Sequence, residues 1–135
     1  MNFKKLLICT LVVFIAIVAT DFIIHGILLK NLYLETASLW RPESEMMAYH
    51  GHMFFGEFII AFFFSLIFAQ GYRSTGIMEG VRYGLLLGGI DMGQHFVMHA
   101  VAPYPVVLTL AWICFGFIQF VVVGIAASLV YGKAK

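Results

Sequence analysis

Apolar residues fall along this chain in long stretches, broken by short polar links. A helix needs about 20 predominantly apolar residues to cross a hydrocarbon layer ~30 Å thick. Four stretches reach that length, at 6–29, 46–69, 80–101 and 106–131. The pattern predicts an all-α chain, an integral membrane four-helix bundle forming a single domain over 1–135. The links are a longer loop at 30–45, a turn-rich one at 70–79 with Gly71, Ser74, Thr75 and Gly76, and a short turn at 102–105. Lys4 and Lys5 before an apolar run also suit the start of a secretory signal. The apolar character continues past Ala19 to Leu28 and Leu29, so the segment is expected to be retained as a span.

Charge gives these spans an orientation. Lys4, Lys5, Arg73, Arg82, Lys133 and Lys135 flank one side, while only Lys30 and Arg41 flank the other. Positive residues collect on the cytoplasmic side, so both termini are expected there. Trp40, Tyr33 and Tyr104 then fall at the external boundary, where aromatic residues form an interfacial belt.

Composition agrees with lipid as the solvent. Of 135 residues 62% are hydrophobic and 11% charged, whereas a soluble domain carries about 25% charged residues. The same values exclude disorder. A net charge of +1 offers no basic surface for nucleic acid. Cys9 and Cys114 both lie in apolar runs and are expected to act as small hydrophobes.

The odd-numbered spans share a motif. Asp21-Phe22-Ile23-Ile24-His25 and Asp91-Met92-Gly93-Gln94-His95 have the same Asp-x-x-x-His spacing at similar depth, and Phe55-Gly56-Glu57-Phe58 is echoed by Phe115-Gly116-Phe117-Ile118. The expectation is two helical hairpins related by a parallel two-fold internal repeat. Glu57 has Phe117 as its counterpart, so one acid is unmatched.

Ionisable groups inside a membrane are costly and mark functional sites. Here Asp21, His25, His50, His52, Glu57, Asp91, His95 and His99 all fall in the predicted outer half. At 1.5 Å per residue, His25, His52 and His95 lie roughly 8–10 Å deep and Asp21, Glu57 and Asp91 roughly 13–16 Å deep, with His50 and His99 roughly 4–6 Å deep. Asp21 and His25 share one helix face, as do Asp91, His95 and His99, whereas His50 and His52 point roughly opposite ways. Imidazole and carboxylate from facing helices suit a transition-metal ion. The expected ligands are His25, His95, His99 and Glu57, with Asp21, Asp91, His50 and His52 orienting them or relaying protons. A proton or cation relay without metal is the second expectation, and haem b held by two histidines such as His25 and His95 the third. Local Asp–His hydrogen bonding as helix glue is the structural alternative. No nucleophile elbow, phosphate loop or dinucleotide fingerprint is present, so catalysis is not expected.

Gly84-x-x-x-Gly88 and Gly89-x-x-x-Gly93 match the small-x-x-x-small pattern of closely packed membrane helices. They are expected to pack within the bundle, with a homodimer or a larger membrane complex as the other use. An accessory subunit without catalysis fits a chain of this size. In its length, its four spans and the segments Asp21-Phe22-Ile23-Ile24-His25-Gly26 and Leu39-Trp40-Arg41-Pro42-Glu43, the chain resembles small four-span bacterial inner-membrane proteins of unknown function. The resemblance implies the bacterial cytoplasmic membrane as its place and carries no activity or site residues.

Overall fold

A computed structural model describes residues 2–132. Lys133 and Lys135, counted in the charge asymmetry, lie outside the described residues. The described residues are helical throughout, without strands, in the order α1 (Phe3–Ile23), a π-helical turn (Ile24–Leu28), α2 (Lys30–Glu35), a 3-10 turn (Ala37–Leu39), α3 (Glu43–Gly71), α4 (Ile77–Val101) and α5 (Val106–Gly132). Two of these elements, α2 and the 3-10 turn, occupy what the sequence pattern left as the 30–45 loop.

Local chemistry sets the ends. The Asn2 side chain accepts the Lys5 N–H at 3.1 Å and caps α1. In the π turn the Leu29 N–H reaches the Ile24 carbonyl at 2.8 Å, a widened turn of the kind found at functional sites, and His25 sits on it. Pro42 starts α3, with Glu43 and Glu45 in the first turn where the helix dipole favours acids. Gly76, at φ 84°, brings the chain into α4 through the left-handed region that glycine tolerates.

Three segments, Phe3–Leu28, Glu43–Gly71 and Val106–Gly132, are long and apolar enough to cross a membrane, as in an integral membrane protein. The predicted span 80–101 forms α4, which has 25 residues and is thus about 38 Å long. It is not among the three, because Arg82, Asp91, Gln94, His95, His99 and its glycines dilute its apolar character.

The helices pack as a row with α1 and α5 in the middle: α1 lies against α3 and α5, and α4 lies against α5. Among the described residues α3 and α4 share less packing than these pairs; they meet where the Phe68 and Tyr83 rings lie edge-on with centroids 5.1 Å apart. Cys9, Val13 and Ile17 of α1, Ala61, Phe64 and Phe68 of α3, and Val123, Ala127 and Tyr131 of α5 form one buried core toward the end where the described chain starts and finishes. At that end Lys5 donates to the Tyr131 carbonyl at 2.8 Å and lies over its ring. Many large apolar side chains, among them Leu11, Phe22, Phe55, Leu86 and Ile118, are exposed, as surfaces facing lipid require.

Glycines bring α4 onto α5. A Cβ at Gly80 would overlap the Gly124 carbonyl, one at Gly84 would overlap the Phe120 carbonyl, and one at Gly88 would stand 3.1 Å from the Phe117 ring. A Cβ at Gly89 or Gly93 would meet nothing within 4 Å, so those two do not serve a helix contact in the described chain. In the first turn of α4, Glu79 is buried and accepts the backbone N–H groups of Arg73 and Thr75 and the Thr75 hydroxyl. Burial works to raise its carboxyl, but these donors outweigh it and hold Glu79 below the usual carboxylate range.

Candidate functional site

Toward the α2 end the helices separate around a cavity of about 430 Å³. Asp21 and His25 reach it from α1 and the π turn, Glu57 from α3, Asp91 and His95 from α4, and Trp112, Gly116 and Gln119 from α5, with Tyr33 and Tyr104 contributed by the connections. Ile17, Ile24, Ile60, Met98, Phe120 and Val123 supply its apolar walls. Among the described residues no Lys or Arg lines it.

The Asp-x-x-x-His spacing stacks each acid one helical turn from its imidazole. His95 Nε2 lies 3.2 Å from Asp91 Oδ2, and His25 Nε2 lies 3.7 Å from Asp21 Oδ1. The two pairs have different surroundings. Gln119 Nε2 donates to Asp21 Oδ1 at 2.6 Å and to the Thr20 hydroxyl at 2.9 Å. Asp91 instead fits against the bare backbone of Gly116, where a Cβ would stand 2.8 Å from Oδ2.

A line of hydrogen bonds leads to the first pair. Trp112 Nε1–H donates to the Tyr33 oxygen at 2.7 Å, and Tyr33 lies 2.6 Å from His25 Nδ1. With the Trp112 bond accepted at the phenol oxygen, the Tyr33 O–H is free to donate to Nδ1 of a neutral His25, the tautomer that carries its proton on Nε2, facing Asp21. Burial, the dominant influence, raises the Tyr33 phenol despite the Trp112 bond, which works to lower it. Tyr33 therefore remains a donor at neutral pH. Glu57 lies beside Asp21, and its Oε2 is buried without a hydrogen-bond partner.

Aromatic rings roof the cavity. Trp40 stacks on Tyr104 with centroids 5.5 Å apart and meets Tyr33 and Trp112 edge-on, while Trp112 also lies 5.4 Å from the His95 ring. The rings read from sequence as a belt at the boundary thus pack against one another over the site.

Of the expected ligands, the fold brings His25, His95 and Glu57 to one cavity with Asp21 and Asp91. His99 is directed elsewhere, with Nδ1 3.2 Å from the hydroxyl of buried Thr109. His50 and His52 are exposed on α3 and do not line the cavity. Among the described residues no group of three or more His, Cys, Asp or Glu side chains is arranged to hold a metal ion. Sequence reasoning missed Tyr33, Trp112 and Gln119 as site residues. Gln119 did leave a signal, as an amide inside an apolar stretch.

No protein-family model, curated protein or solved structure matches the chain.

Proposed function

We propose that this chain is a four-helix membrane bundle, built as two parallel-related hairpins with both ends cytoplasmic, whose cavity in the outer half binds cations and passes protons between its Asp–His pairs. The bacterial cytoplasmic membrane is its proposed place. The observation that carries this reading is the line from Trp112 through Tyr33 and His25 to Asp21, ending in a cavity that also holds Asp91–His95 and Glu57. Protonation of His25 would put a hydrogen on Nδ1 and turn the Tyr33 hydroxyl away, so charge movement and hydrogen-bond direction are linked at this residue. Three carboxylates with no Lys or Arg among the residues lining the cavity favour a positive occupant.

A transition-metal ion on His25, His95 and Glu57 is the second reading. The unpartnered Glu57 Oε2 favours it.

The test is an infrared difference spectrum of purified protein between about pH 5 and about pH 8, the range in which histidine titrates. Metal analysis and an absorption spectrum accompany it, on both wild type and a His25→Ala/His95→Ala double variant. Histidine and carboxylate bands that change in wild type and vanish in the double variant support the relay. About one equivalent of metal lost in the variant would move the assignment to the second reading, and a Soret band would move it to haem. None of these signals would leave an accessory subunit of a larger complex.

A further inference from the structure

The cavity has a chemical bias that narrows its occupant. Three of its strong donors are already engaged: the Trp112 N–H with Tyr33, the Tyr33 hydroxyl with His25, and the Gln119 amide with Asp21 and Thr20. Among the described residues its acceptors are in surplus: Glu57 Oε2 is buried with no partner, and Asp91, set against Gly116, has one polar partner, His95 at 3.2 Å. An occupant that satisfies such a site brings hydrogen-bond donors and positive charge.

Size and walls decide between an ion and an organic cation. A first-row metal ion is held by ligands about 2 Å away, and no group here converges in that way among the described residues. A volume of about 430 Å³ falls in the range of small-molecule pockets, roughly 300–1,000 Å³, which are mostly apolar with a few placed polar groups. The aliphatic walls and the faces of Trp112 and Tyr104 suit an apolar body beside a cationic head.

Access follows from the packing. Glu57 and Ile60 come from α3 and Asp91, His95 and Met98 from α4, and these two helices do not pack on one another as the other neighbouring helices do. With the bundle placed in a membrane as proposed above, this sparse seam gives the cavity a sideways path to the apolar layer around the helices.

We infer that this site takes a lipophilic ammonium compound, entering between α3 and α4, with its N–H groups on Glu57 and Asp91 and its apolar part against Ile60, Met98 and Phe120. This inference rests on the cation-binding reading above and names the cation. The same ammonium chemistry is offered by a free amine and by an ethanolamine lipid headgroup.

Both tryptophans of the chain stand at the cavity or stacked on its roof, so their fluorescence reports occupancy. Protein in phosphatidylcholine nanodiscs is titrated with hexylamine and, separately, with hexanol. The expected result is a saturable change with hexylamine and only linear partitioning with hexanol. Glu57→Gln and Asp91→Asn should each weaken hexylamine binding about tenfold, the cost of one lost charged hydrogen bond, while His99→Ala should leave it unchanged. Nanodiscs containing phosphatidylethanolamine distinguish the sources: competition with hexylamine assigns a headgroup, and its absence assigns a free amine. Equal responses to hexylamine and hexanol in the unmodified protein, or unchanged binding in both carboxylate variants, would overturn the inference. If the infrared bands still titrate in that case, the relay reading survives without the amine; if they do not, both are wrong.

Discussion

Helices α4 and α5 behave differently at their two ends. Near the chain termini they meet backbone to backbone, with Gly80 and Gly84 against Gly124 and Phe120. Toward α2 the same pair stands around a cavity, and a single glycine, Gly116, makes room there for a carboxylate instead of a helix. Small residues thus do two jobs on one seam. In the first they remove volume so that the helices close, and in the second they leave volume that a polar side chain fills. Closure at one end holds the helices while the other end stays open.

The sharpest way to break this comparison is at the closed end. Gly124→Ala places a Cβ into the Gly80 carbonyl, where no flexible side chain can yield, and should cost about 3 kcal/mol. Circular dichroism melting in detergent checks it, and an unshifted melt would mean that the seam is looser than described. Next in size is Glu79→Gln, which weakens the loop leading into the seam and should cost about 1–3 kcal/mol at neutral pH. Its pH dependence has a definite sign. Because Glu79 is held below its ordinary value of 4.5, its contribution is complete above that value and disappears as pH falls through the depressed one. Wild type and variant melts should therefore converge in acid, whereas a constant gap would point to packing alone.

At the open end Gly116→Ala should cost about 1 kcal/mol, with its main effect on the site. Displacing Asp91 should alter the Asp91–His95 infrared bands and leave those of Asp21–His25 in place. The smallest effect belongs to Gly89→Ala and Gly93→Ala, which meet open space and should stabilise α4 by about 0.5–1 kcal/mol through helix propensity. A loss comparable to that of Gly124→Ala would show that a second chain covers this face.

Much of this arrangement was legible in the sequence, for identifiable reasons. The long apolar stretches coincide with α1, α3, α4 and α5, because a run of apolar residues leaves the helix few alternatives. The Asp-x-x-x-His spacing placed Asp21 with His25 and Asp91 with His95, because i and i+4 share a face whatever the tertiary fold. Contacts between helices were not legible. Tyr33 and Trp112 are 79 positions apart, and Asp21 and Gln119 are 98 apart, so no local pattern joins them. His99 shares a face with His95, yet Thr109 across the short turn takes its imidazole. The interleaved glycine pairs were equally opaque: Gly84 and Gly88 face α5 and Gly89 and Gly93 do not, a matter of helix rotation that spacing leaves open.

The sparse packing between α3 and α4 has a mechanical meaning beside the cavity. On the membrane placement proposed above, acyl chains complete the wall that α3 and α4 leave open, and the lateral pressure of the bilayer acts on the enclosed volume directly. Chain order and membrane thickness then become variables of the site, as ionic strength is for a site facing water. The same residues would present a tighter chamber in a stiff, well-ordered membrane and a roomier one in a fluid membrane.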